Sequence, residues 1–228
     1  MTSAVFLLYA LGHAALFCWA LSLLLRYRHP ATVPLLIVTF GLVYDNAVLA
    51  AGGLIGHGEL LERLSVPRFF MHAFATPLLM LSALGLLMRT HAKWTRNALV
   101  VTGIAVLTIA MIAVGVEADL LGLDLQPKRT ADLVSYGNAA SAGPPVAPLV
   151  TIVVLIITGL IVWRDGGPWL LLGATAQLVA AAIGDAITIA GNLGELALLA
   201  GLVATDHRLA RRASRGGGGK QAIPPRFS

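Results

Sequence analysis

Cysteine and charge are what this chain has least of. The one cysteine, Cys18, rules out a disulfide within the chain and any zinc site built from cysteine pairs. Lying inside an apolar run, it reads as filler between side chains. Charged residues are 12% of 228 positions and hydrophobic ones 57%, against about 25% charged in a soluble domain. A water-soluble core of this size could not hide so much apolar surface. No basic residue precedes the first apolar run, whereas Arg26, Arg28 and His29 follow it. A cleaved secretory signal has the opposite polarity, so the run is expected to be a retained helix with its N-terminus outside. The last apolar run holds no lysine, which excludes a retinal Schiff base there. His13 and His72 lie at different depths with no second pair, which argues against a haem held by two histidines.

What is present is a series of apolar runs close to the length a bilayer demands, about 20 residues each. They fall at residues 3–25, 31–53, 68–89, 98–116, 146–163, 168–189 and 192–208. The spacing predicts an all-α, polytopic membrane protein, a seven-helix bundle forming one domain, followed by a disordered basic tail at 209–228. Pro67 is read as the start of the third helix. The polar stretch 117–147 is read as a loop with a short helix over 130–135. Gly191-Asn192-Leu193-Gly194 is read as the break between the last two helices.

The net charge of +5 would suit nucleic acid if it were spread over a surface, but its placement follows the connections instead. Seven helices with the N-terminus outside put Arg26, Arg28, Arg89, Lys93, Arg96, Arg164, Arg208 and the five basic residues of the tail on the cytoplasmic side. Only Arg63, Arg68, Lys128 and Arg129 remain outside. That is the bias of the positive-inside rule, so the partners expected are membrane lipids and not nucleic acid, at the cell membrane. Trp94, Trp163 and Trp169 fall near the inner interface, where amphipathic rings settle.

The expensive residues then share one level. Asp45 stands in the second run between Tyr44 and Asn46, roughly 12 Å below the outer surface at 1.5 Å per residue. His72 opens the third run, Asp185 closes the sixth, and Asn192 and Glu195 open the seventh. Intramembrane carboxylates are costly and mark functional sites by default. Asp45 and Asp185 with His72 form a candidate acid/base or metal set, zinc or another divalent cation being suited to imidazole and carboxylate. Arg68 lies four residues before His72, on the same helix face, and is the natural counter-charge. Tyr44, Asn46, Arg68, Asn192 and Glu195 are the candidate substrate contacts. Small residues on the sixth helix, such as Gly173, Ala176, Ala180 and Gly184, predict close helix packing.

This layout resembles in outline the seven-helix hydrolases related to alkaline ceramidases, which hold zinc with histidines and an aspartate. The chain has neither an HxxxH pair on helix seven nor a matching serine–aspartate pair, so the resemblance is one of layout. It implies a lipid or lipid-like substrate and metal-assisted hydrolysis. The alternatives are a small proton-coupled transporter, in which Asp45 or Asp185 exchanges a proton, and a non-catalytic membrane partner.

Overall fold

The structure is a computed structural model and describes residues 2–130, 132–141, 144–183 and 189–217. The fold is all-α. Among the described residues there are seven α-helices, α1 (Thr2–Tyr27), α2 (Thr32–Ile55), α3 (Glu59–Leu87), α4 (Ala98–Asp119), α5 (Val146–Gly166), α6 (Trp169–Ile183) and α7 (Ala190–Gly217), with a short 3-10 turn at Lys93–Arg96. Helices α1 to α5 are long and apolar enough to cross a membrane. Helix α6 is apolar but shorter, and the apolar part of α7 is interrupted by Glu195 and Asp206.

The core gathers Leu35, Leu79, Leu86, Leu155, Leu170, Leu199 and Leu202 from α2, α3, α5, α6 and α7. Outside it, Leu8, Leu54, Leu99 and Ile109 stand largely exposed. So much bare aliphatic surface would drive aggregation in water and is ordinary against lipid. Helix α4 buries little beyond Thr108 and Gly115 and rides on the bundle's edge, where a side chain on Gly115 would press on the Ala73 backbone of α3. Of the small residues expected to pack closely, Gly173 and Ala180 do so, Ala176 is exposed, and Gly184 lies outside the described residues. A Cβ on Gly173 would strike the Ala197 carbonyl of α7, and one on Gly201 of α7 would strike that of Trp169.

Three local expectations are corrected. Helix α3 begins at Glu59 and not at 68, with Pro67 inside it. Glu59 and Glu62 suit the positive end of the helix dipole, and Glu59 pairs with Arg63 one turn on. These gains carry the helix through a proline that removes one backbone hydrogen bond. The connection from α2 thereby shrinks to Gly56-His57-Gly58, in which Gly56 takes φ 76°, a conformation glycine adopts without a Cβ penalty.

The stretch 117–147 contains no helix over 130–135. Leu125–Thr130 (β1) and Leu133–Asn138 (β2) form an antiparallel hairpin, in register from Leu125↔Asn138 to Thr130↔Leu133. Val134 and Tyr136, both strand-favouring residues, seat β2 against Val48 of α2 and Leu61 of α3, while Leu133 packs on Phe6, Tyr9 and Leu49. Pro127 is accommodated in the outer strand of the pair. The third correction is that Gly191 to Gly194 belong to the first turns of α7, which starts at Ala190 and runs on to Gly217, past residue 208. The remainder of the expected tail, 218–228, and Asp185 lie outside the described residues.

The end of the bundle opposite the hairpin is tied by a second set of polar contacts. Arg89, just past α3, pairs with Asp206 of α7 at 2.5 Å, and Thr32 of α2 donates its hydroxyl to the same carboxylate at 2.9 Å. The Leu170 amide, in the first turn of α6, donates to the Thr205 hydroxyl at 3.1 Å, giving an otherwise orphaned helix-start donor its partner.

The hairpin is held as tightly. A Cβ on Gly52 of α2 would collide with the Val134 carbonyl, and the Thr2 amide donates to the Asp132 carboxylate at 2.9 Å. Gly52→Val should therefore lift the hairpin. Overpacking of this kind costs about 1–3 kcal/mol, so trypsin should cut after the exposed Lys128 and Arg129 about tenfold faster than in the parent protein. An unchanged cleavage rate would show that the hairpin is not seated on α2.

Candidate functional site

Tyr44, Asp45 and Asn46 are consecutive on α2, so the helix turns each to a different bearing, and each finds a separate partner. Tyr44 donates its hydroxyl to the Leu64 carbonyl at 2.8 Å, in the turn of α3 before Pro67. Asp45 receives the Arg68 Nε–H at 2.7 Å. Asn46 donates to the Leu42 carbonyl at 2.8 Å and accepts from the Asn192 side chain of α7 at 3.1 Å. The triplet binds α2 to α3 and to the start of α7.

The Asp45–Arg68 pair is nearly dry, with side-chain exposures of 5% and 13%. Arg68 uses Nε for the pair, and its Nη1 is buried without a partner. One turn further along α3, His72 Nε2 lies 3.7 Å from Glu195 Oε1 of α7, beyond direct hydrogen-bond length but within reach of a bridging water. Glu195 Oε2 is likewise buried without a partner. Beside these, His13 of α1 is fully buried and gives its Nδ1–H to the Tyr9 carbonyl at 2.8 Å, which leaves Nε2 as an unused acceptor.

Two cavities meet at His72. A cavity of about 680 Å³ lies beneath the hairpin, lined by Arg68, Phe69, His72 and Asn192 from the helices and by Lys128, Ser135 and Tyr136 from the strands. A chamber of about 70 Å³ lies on the other side, among Leu42, Thr76, Thr151, Gln177 and Glu195. Its unpaired Gln177 Oε1 and Glu195 Oε2 are the polar partners an internal water needs. An imidazole and a carboxylate between a roomy cavity and a small, mainly apolar chamber form an arrangement suited to proton transfer.

The structure thus brings together Tyr44, Asp45, Asn46, Arg68, His72, Asn192 and Glu195. Asp185 lies outside the described residues, and Glu117 is exposed on the peripheral α4, apart from the group. Among the described residues, no three of His, Cys, Asp and Glu converge so as to hold a metal ion. Asp45 is engaged by a guanidinium, and His72 faces a carboxylate at 3.7 Å. Sequence reasoning missed the strand residues of the site. Tyr136 accepts from the Gly58 amide at 3.1 Å and meets the His57 ring edge to face. The alternation of Leu133 and Ser135 with Val134 and Tyr136 is the signal that could have revealed a strand.

Removing one partner of a buried pair leaves an uncompensated charge, at a cost of about 3–5 kcal/mol, whereas replacing both with apolar side chains is often neutral. Asp45→Ala should accordingly lower the thermal unfolding midpoint in detergent, and Asp45→Leu combined with Arg68→Met should restore most of the loss. A double variant as unstable as the single one would assign the loss to something other than the stranded guanidinium. In comparisons with known proteins, no family model, curated protein or solved structure matches the chain, so its function has to be read from the chemistry of this site.

Proposed function

We propose that this is a multi-pass membrane protein, N-terminus outside and C-terminus cytoplasmic, whose cavity beneath the hairpin takes the polar head of a lipid or lipid-like molecule at the outer leaflet and performs acid–base chemistry on it. The observation that carries the reading is the position of His72, which faces the large cavity on one side and Glu195 with the small chamber on the other. In this reading Arg68 and Lys128 attract an anionic or carbonyl-bearing head group, with the partnerless Arg68 Nη1 as a ready donor. Asn192 orients the head group. His72 gives or takes the proton and Glu195 stabilises the imidazolium, a division of labour familiar from hydrolases. Asp45 holds Arg68 in place and does not itself touch the substrate. Hydrolysis of an ester or amide bond is the reaction class such a group serves best. A divalent metal would need Asp185 to join Asp45 and His72, and a release of Asp45 from Arg68.

One observation favours a second reading, a proton-coupled carrier. The chamber behind His72, though mainly apolar, reaches inward to Gln177. Beyond it, Leu155, Leu170 and Leu202 close the bundle before the Arg89–Asp206 pair. An apolar plug of this kind suits a site served from one side better than alternating access.

Purified protein in lipid nanodiscs should hydrolyse at least one member of a panel of lipid esters and amides, and His72→Ala should reduce the rate by about 10²–10⁴-fold, the usual contribution of a general acid or base. Glu195→Gln should shift the pH profile as well as the rate. Equal activity in the parent and His72→Ala would overturn the enzyme reading. Proton-linked uptake into proteoliposomes that disappears in His72→Ala would establish the carrier instead. For the orientation, a single cysteine at Gly122 in a Cys18→Ser background should react with an impermeant maleimide on intact cells, and one at Ser214 should not; the reverse labelling would invert the topology.

A further inference from the structure

At the end of the bundle opposite the hairpin, the last turn of α5 and the last turns of α7 enclose a basket of about 420 Å³ lined by Arg164, Asp165, Arg208, Arg211, Arg212 and Arg215. Its one carboxylate is already engaged. Asp165 Oδ1 receives Arg212 Nη1 at 3.0 Å and lies 3.1 Å from His91 Nδ1. The same Arg212 nitrogen also caps the carbonyls of Arg164 and Asp165 at 3.2 and 2.8 Å. Among the described residues, Arg164, Arg208, Arg211 and Arg215 have no ion pair and no side-chain hydrogen bond. Four guanidiniums around one space repel one another unless an anion enters, and their forked donors match a phosphate better than a point charge would. Topology alone calls for positive charge and not for guanidinium.

A second feature adjoins the basket. Between α1, α6 and α7 runs an apolar groove of about 440 Å³, floored by Trp169, Gly173, Ala176, Ala197, Gly201 and Ala204. Residues 197, 201, 204, 208 and 211 follow one another at three- and four-residue steps on α7, so Arg208 and Arg211 continue the face that forms the groove. A Cβ on Gly167, in the turn between α5 and α6, would sit 3.0 Å from Arg208 Nη1 and 3.2 Å from Trp169 Nε1. Groove and basket therefore meet at Trp169, whose ring is 44% exposed, as an interfacial tryptophan is.

We infer that this junction is a binding site for an anionic phospholipid, with the phosphate in the basket of Arg164, Arg208, Arg211 and Arg215 and one acyl chain along the α6/α7 groove. The inference rests on the membrane reading above but not on the chemistry assigned to His72. Each basic residue near a membrane surface contributes about 1 kcal/mol toward anionic lipid, so removing two should weaken binding by about tenfold or more.

The test uses the full chain, purified in detergent and delipidated. Native mass spectrometry and thermal shift are recorded with phosphatidylglycerol, phosphatidylcholine and glycerol phosphate. Phosphatidylglycerol should bind and raise the unfolding midpoint, phosphatidylcholine should do so at least tenfold more weakly, and glycerol phosphate should have no effect at the same concentration. Arg208→Gln with Arg211→Gln should abolish the preference for the anionic lipid. Ala176→Trp, at an exposed position on the groove wall, should weaken lipid binding with the basket intact. Equal binding of glycerol phosphate, together with an indifferent Ala176→Trp, would make this a free-phosphate site and overturn the proposal. Equal binding of the two lipids, or no effect of the double arginine variant, would overturn it as well. Flotation of the parent protein with liposomes tests the membrane reading separately, so its failure cannot be mistaken for failure of the lipid site.

Discussion

Charge taken out of water has to be neutralised on the spot, and in this bundle the helix that does so is α3. Arg68, about a third of the way along it, meets Asp45 of α2, and Arg89 just past its end meets Asp206 of α7. The two guanidiniums are separated by about 30 Å at the rise of an α-helix, close to the thickness of a bilayer's hydrocarbon core. The helix acts as a strut between two cations, one within it and one just past its end. Two other helices are pinned to it through those carboxylates. The remaining polar contacts follow from that arrangement. Once Asp45 is fixed, Tyr44 and Asn46 can only face Leu64 and Asn192, and once Asp206 is fixed, Thr32 and Thr205 fall beside it.

This division explains how the site comes to be both rigid and chemically available. Asp45 is occupied in holding Arg68, whereas His72 and Glu195 sit 3.7 Å apart with spare donor and acceptor capacity. The strong pair sets positions. The weak pair, lying between two cavities, is the one to which the proposed function gives the proton exchange.

Much of this was legible in the sequence because the bilayer imposes simple rules. Run length gave the helices, and an aspartate in an apolar run gave the centre of the site. The four-residue step from Arg68 to His72 placed both on one face of α3 at the right level. What was not legible depended on contacts distant in the chain. Nothing local to Asp45 says whether Arg68 or a metal would meet it, since that depends on the rotation of α2 against α3. The hairpin was missed because Leu125–Thr130 and Leu133–Asn138 are short, polar and interrupted by Pro127. They become strands only by pairing with each other and packing Val134 and Tyr136 onto the helices. The start of α3 was misplaced because proline usually marks a helix start, a rule overridden here by the acidic first turn at Glu59 and Glu62.

The hairpin is fastened at its turn by Asp132 to the first residues of α1, along its body by Val134 over Gly52, and near its base by Tyr136 to Gly58. A cover held at three points does not swing like a hinged door. In the proposed function, a lipid would reach the space beneath it sideways, between helices. Molecules would be sorted by solubility in the membrane before any side chain touched them, and the concentration that matters to this protein would be a mole fraction in a two-dimensional solvent.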